Sequence, residues 1–182
     1  MRFSKLKKSL EGFLCESLKK RVELHAAVYR QAHDSPSRVW LTFDKVQIFS
    51  AADLSFSVQH FNREQELVEQ FELKPIPYNS DWEVMFLSPE RKALIAASDQ
   101  AEEELHRDRV WASWHLYASL LKYLNLSIEE ALTSEYPLVR AFALFDRRVG
   151  KRRLLNMEHF THSIEEKFFH IRCKVEGLNK TN

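Results

Sequence analysis

Six cationic side chains crowd into the stretch from Arg140 to Arg153: Arg140, Arg147, Arg148, Lys151, Arg152 and Arg153. An arginine fork matches a carboxylate or phosphate with two parallel hydrogen bonds, and a lysine adds a compact point charge. Such a cluster either pairs with the chain's own acids or holds an anionic partner. Asp146, Glu129, Glu130 and Glu135 are the nearby acids that could serve the first role. The apolar spacing predicts a helix from Pro137 to near Gly150. Arg147 and Arg148 would then sit in its last turn, where cations complement the negative end of the helix dipole. Lys151, Arg152 and Arg153 follow the glycine, and capping does not require them. They are the residues most in need of a partner.

Other constellations are incomplete. Glu103 and His106 form one E-x-x-H on an expected helix, but a di-iron bundle needs a second such pair and two further carboxylates. His159 and His162 are three apart without an H-E-x-x-H. His33-Asp34 is a bare dipeptide in an expected turn. A nuclease of the restriction type needs an acid on one strand and Glu-x-Lys on the next to hold Mg²⁺. Asp44 and Glu72-Leu73-Lys74 are the nearest candidates, one in a turn and the other after a helical segment. The chain has no G-x-S-x-G elbow, and Cys15 has no histidine beside it. No residue is therefore assigned a catalytic role, and neither a metal nor a cofactor is expected.

Composition narrows the classes further. Lys plus Arg is 27 and Asp plus Glu is 26 in 182 residues, too balanced for a dedicated nucleic-acid-binding domain. Three glycines leave no Gly-rich phosphate loop. With 45% hydrophobic residues the chain can bury a sizeable core. Cys15 and Cys173 read as small buried thiols of a reducing compartment. The charged N-terminus lacks a signal-peptide core, and no apolar run reaches the ~20 residues of a membrane span. The expectation is a soluble, cytoplasmic protein of undetermined oligomeric state.

The elements that would position these groups follow from periodicity. Leu6, Leu10, Phe13, Leu14 and Leu18 predict a first helix from Ser4 to about Leu18, with a solvated face of lysines. Val22, Leu24, Ala26 and Val28 alternate as a strand. A turn at His33-Asp34-Ser35-Pro36-Ser37 leads to a second strand from Arg38 to Phe43, and Asp44-Lys45 to a third over Val46 to Phe49. Leu54, Val58 and Phe61, then Leu67, Val68 and Phe71, predict one or two short helices. Pro75 and Pro77 mark an extended linker over 73–80, separating segments 1–72 and 81–182. Ser88-Pro89-Glu90 opens a helix that can run through Leu124, with a break near Ser98-Asp99. Ser127 to Glu130 is a capping box. Trp111, Trp114, Tyr117 and Tyr123 surround an apolar helix that needs burial on several sides. Ile164, Phe168, Ile171 and Val175 make a last helical stripe closed by Gly177.

Pro137 to Ala141, followed by Ala143-Leu144, resembles one HEAT-repeat helix, but no repeat follows. Two longer segments, FSKLKKSLEGFLCESLKKRV with HDSPSRVWLTFDKVQIFS and then ALFDRRVGKRRL, resemble an uncharacterised family of small bacterial cytosolic proteins. That resemblance implies no activity and transfers no catalytic residue. The expected fold is α+β: an N-terminal helix on a small three-stranded antiparallel sheet, then a mainly helical C-terminal part. The expected function is a non-enzymatic binding or regulatory module using the basic segment toward a protein or anionic partner, without a membrane. A nucleic-acid-associated protein using the same cations, or a metal-dependent hydrolase or nuclease, are the alternatives.

Overall fold

A computed structural model describes residues 3–31 and 37–178. It divides the chain into two compact units, one formed by residues 1–53 with 112–182 and the other by Leu54–Trp111. The first unit opens with α1 (Phe3–Phe13), a short 3-10 turn, and the strands β1 (Val22–Val28), β2 (Ser37–Phe43) and β3 (Val46–Ala52). The predicted first helix is thus shorter than its periodicity, because Cys15 turns extended and its N–H donates to the Phe145 carbonyl at 2.9 Å. Four residues of the expected turn, 33–36, lie outside the described residues, and with them the His33-Asp34 pair.

The sheet is antiparallel in the order β1-β2-β3, with Leu24 opposite Leu41 and Leu41 opposite Phe49. Alternation puts Val22, Leu24, Val39, Leu41, Phe49 and Ala51 into the core. The β2–β3 turn places Asp44 and Lys45 at φ 49° and 66°, the twisted geometry that suits a two-residue hairpin, although neither residue is glycine. Arg21 steadies it with two hydrogen bonds to the Asp44 carboxylate, at 2.8 and 2.5 Å.

The rest of this unit is helical: α5 (Ser113–Leu124), α6 (Ile128–Leu132), α7 (Pro137–Phe145), α8 (Lys151–Leu155) and α9 (Ser163–Glu176). α7 is its centre, with every residue from Leu138 to Phe145 buried except Arg140. Phe145 stacks on Phe168 of α9 at 4.4 Å between ring centroids. α5 meets α7 through Tyr123 and Phe142. Cys15 and Cys173 are both buried, as expected.

The second unit holds nearly all of α2 (Asp53–Gln70), then α3 (Trp82–Phe86) and α4 (Pro89–Arg107). α2 is one 18-residue helix. Its buried residues are Phe56 and Leu67, while Leu54, Val58 and Phe61 are exposed. Leu67 packs with Ala97 and Ala101 of α4, with Leu73 against them. The Pro-containing segment 73–80 lies within this unit without helix or strand. Ser98-Asp99 does not break α4. The chain leaves the helix at Asp108, and Arg109 turns left-handed at φ 64°. Ala97 and Ala101 on either side pack with Leu67, and Ser98 and Asp99 continue the helix between them. Among the described residues, no helix is long and apolar enough to cross a membrane.

Candidate functional site

Helix α7 does not reach Gly150. It stops at Phe145, and Asp146 is extended at φ −70° and ψ 137°. Long-range partners end it: the Phe145 carbonyl accepts from Cys15 N–H, and Arg147 N–H donates to the Phe13 carbonyl at 2.8 Å. Arg147 and Arg148 therefore lie in the turn after the helix, and Gly150 is the residue before α8 rather than a terminal cap of α7. The cation that complements the end of α7 comes from α9. Arg172, 3% exposed, donates through Nη1 to the carbonyls of Phe145 and Asp146 and through Nη2 to that of Val149. Its Nε lies 3.4 Å from Glu176 Oε1, close enough for charge attraction but not aligned as a hydrogen bond.

Asp146 organises the turn. Its carboxylate is buried and accepts from Tyr123 Oη at 2.6 Å, from Arg148 N–H at 2.7 Å, and from Arg148 Nε and Nη2 at 2.9 and 2.6 Å. Burial and then the hydrogen bond to Asp146 push the Tyr123 phenol well above its ordinary range. The Arg148 guanidinium also lies 4.8 Å from the Phe13 ring centroid and donates to the Leu126 carbonyl. The hydrogen bond to Asp146 raises its pKa, against the opposing effect of burial. Arg148 is thus held by the fold.

The other cations of the segment separate in the same manner. Arg140 meets Glu165 through two hydrogen bonds, Nε to Oε2 at 3.0 Å and Nη2 to Oε1 at 2.7 Å. It also donates to the Ser134 carbonyl and to Thr161 Oγ1. With Glu165 buried, this is an internal fork-to-fork pair. Lys151 lies 3.3 Å from Glu176 Oε2 and donates to the Glu176 carbonyl. Arg153 donates to Glu129 at 2.9 Å, and this bond is the main cause of the lowered Glu129 pKa. Glu130 serves the Ser127 capping box, and Glu135 pairs with Lys122. Arg147 and Arg152 remain: both are exposed, and neither has an acid partner among the described residues.

Two clusters therefore converge on the α7–α8 turn, one around Asp146 and one around Glu176. Glu176 accepts from Ser17 Oγ at 2.7 Å as well as from Lys151. Burial opposes its ionisation, but the hydrogen bonds from Ser17 and Lys151 bring its pKa below the ordinary value. Sequence reasoning names Asp146 as a pairing acid and Tyr123 as one of an aromatic set, without the bond between them, and misses Arg172, Glu165 and Glu176. Arg172 lies beside Ile171 in a stripe judged by its apolar members, and one arginine there carries no separate signal. Arg147, in the turn, and Arg152, on α8, are the exposed cations of the segment, and the Arg147 backbone is held by its N–H bond to the Phe13 carbonyl.

The other candidate groups have local roles. Glu103 lies 3.7 Å from Arg107, and the acid near His106 is Glu102, at 3.9 Å, rather than Glu103. His106 stacks on Trp111 at 3.9 Å. His162 Nδ1 accepts from Ile164 N–H at the start of α9. Asp44 serves the hairpin turn, and Glu72 follows α2 in a left-handed conformation at φ 48°. Of the aromatic set, Trp111 and Tyr123 are buried and Trp114 is exposed.

Comparison with known proteins adds one relationship. Neither a curated protein nor a solved structure matches the chain. A family model matches residues 2–173, which agrees with the resemblance carried by the helix–strand opening and the ALFDRRVGKRRL stretch. By that match over nearly its whole length, this chain belongs to the SF0329 protein family.

Proposed function

We propose that the chain is a non-enzymatic binding module that contacts an acidic partner protein through the turn between α7 and α8. The observation that supports this most is the contrast within the basic segment. Arg140, Arg148, Lys151 and Arg153 meet internal oxygen atoms, whereas Arg147 and Arg152 are exposed with no acid partner among the described residues. A turn fixed by the buried Asp146 carboxylate and the Arg172 guanidinium loses little further backbone freedom on binding, which favours recognition. Lys151 and Arg153, whose own side chains are exposed although each meets an acid, add to the positive field.

A fluorescence titration with a labelled Glu-rich 12-residue peptide at low ionic strength tests the reading. Binding should weaken with added salt and fall at least tenfold in the Arg147→Glu/Arg152→Glu double variant. Parallel titrations with single-stranded DNA and RNA of 20 nucleotides separate the alternative. Tighter, steeply salt-dependent binding of either nucleic acid would move the assignment to phosphate recognition. Peptide binding that ignores both substitutions would remove this segment as the contact.

A further inference from the structure

A second surface lies on α2. At ~100° per residue, Leu54, Val58 and Phe61 fall within an arc of about 60°, and Phe56 and Leu67 fall on nearly the opposite side. Phe56 and Leu67 are buried, while Leu54, Val58 and Phe61 are 65, 54 and 60% exposed. The helix is therefore apolar on two faces and uses one. A single exposed leucine needs no explanation, but three at steps of four and three form a continuous stripe. Its spacing is that of anchors that receive another amphipathic helix.

Charge identifies the occupant. The unit Leu54–Trp111 contains twelve acidic and six basic residues, a net charge of −6. Glu64 and Glu69 flank the stripe on its two sides when α2 is projected at ~100° per residue. An acidic surface repels nucleic acid and anionic lipid. It also disfavours stacking the same face of a second copy, −6 against −6. Three side chains are far short of the ~800 Å² per partner of a standard interface, which suits one helix laid along the stripe. The geometry points to a docking site on α2 for a basic amphipathic helix of another protein: apolar residues at i, i+4 and i+7 on the stripe, with Lys or Arg beside Glu64 and Glu69. This surface is distinct from Arg147 and Arg152 and takes a ligand of opposite charge.

The test uses the full chain and an 18-residue helical peptide with leucines at i, i+4, i+7 and i+11 and lysines on the flanks. The control is a scrambled peptide of the same composition. The patterned peptide should bind at least tenfold tighter than the scrambled one. Leu54→Ser/Val58→Ser/Phe61→Ser should remove that difference with an unchanged circular dichroism spectrum, and Val58→Ser alone should show a partial loss if the triple variant folds poorly. Glu64→Gln/Glu69→Gln should weaken binding severalfold and flatten its salt dependence. Arg147→Glu/Arg152→Glu should leave it unchanged, so failure at one surface does not imply failure at the other. Equal binding of the two peptides would overturn the proposal. So would self-association in sedimentation that the triple substitution abolishes, because a second copy would then own the stripe.

Discussion

The two units differ in what they do with their apolar residues. The unit formed by residues 1–53 and 112–182 closes α7 on nearly all sides, and its one intermediate position in the run from Leu138 to Phe145, Arg140, reaches a buried glutamate. The unit Leu54–Trp111 buries Phe56, Leu67, Ala97, Ala101, Leu105 and Trp111, and leaves Leu54, Val58, Phe61, Trp82 and Phe86 exposed. Aliphatic periodicity is similar in both, but only the first has enough facing elements to use it. A helix face that the chain cannot cover is available to something else, whereas a covered one reports only on stability. The charges follow an analogous division. The first unit spends most of its basic segment on internal carboxylates and backbone carbonyls, and the second keeps an acidic excess.

The strongest way to break this contrast is at Arg172. Its guanidinium meets three carbonyls at the end of α7 and lies beside Glu176, all with 3% exposure of the residue. Arg172→Ala leaves those acceptors without their donor and removes the charge beside Glu176, which keeps Ser17 and Lys151. Removing one partner from a buried charged network typically costs about 3–5 kcal/mol. Urea unfolding should show a loss of this size, and hydrogen exchange should show the 145–149 segment opening. A loss below about 1 kcal/mol would mean that the carbonyls find water readily and that the turn is not fixed by α9.

A paired truncation compares the two cores directly. Phe168→Ala removes a ring stacked on Phe145 and packed near Phe142, and should cost about 3–5 kcal/mol. Leu67→Ala removes a side chain among alanines and should cost about 2–3 kcal/mol, at the lower end of the range because a thin core can collapse. Native-state hydrogen exchange should report the first as global and the second as confined to Leu54–Trp111. Equal, global effects would show that the two units unfold as one.

Much of this architecture is legible in the residues. The alternation from Val22 to Val28 and the turn at Asp44-Lys45 mark strands, and Ser88-Pro89 and Ser127–Glu130 mark helix starts, that the structure retains, whereas the shift of the β2–β3 register between Leu41 and Thr42 has no signal in the turn. What periodicity cannot state is which of two apolar faces finds a partner: the spacing of Leu54, Val58 and Phe61 marks a helix, but the face that α2 buries carries Phe56 and Leu67. Nor can local sequence show that Phe13 and Cys15 take hydrogen bonds from or give them to residues 130 or more positions away. Those bonds end α7 five residues before its apparent limit at Gly150. The basic segment was visible as a set of six cations, but its division depends on Glu165 and Glu176, whose relevance appears only when α9 packs on α7.

A smaller and more gradual effect is expected in acid. Burial alone would raise the Asp53 carboxyl, but hydrogen bonds from Ser113 and Ser37 hold it below its ordinary 3.8. The contacts are Ser37 N–H at 2.7 Å, Ser37 Oγ at 2.9 Å and Ser113 N–H at 2.8 Å, so Asp53 ties β2 to the start of α5. Glu176 is likewise held below 4.5. A depressed folded pKa contributes stability that is complete above the unfolded value and is lost as pH falls through the folded one. The first unit should therefore hold a constant melting temperature down to about pH 5 and lose stability from pH 4.5 downward. Asp53→Asn/Glu176→Gln should start lower and fall less steeply over that window. An identical slope would assign the acid sensitivity to other carboxylates.

The smallest expected change separates two neighbours in sequence. Arg148 is bound to the buried Asp146 carboxylate by its backbone N–H and two side-chain donors, so Arg148→Ala should lower the melting temperature by several degrees. Arg147 contributes its backbone N–H to Phe13 but no side-chain bond among the described residues. Substitution preserves that N–H, so Arg147→Glu should shift the melting temperature by less than about 2 °C. Arg152→Glu should do the same, with a slight gain available because an acid suits the first turn of α8 better than a cation does. A large loss in either variant would place its side chain in the stabilising network and leave the basic segment without a cation reserved for a partner. Stability unchanged, together with loss of the acidic peptide, would locate the division between structure and recognition within the single step from Arg147 to Arg148.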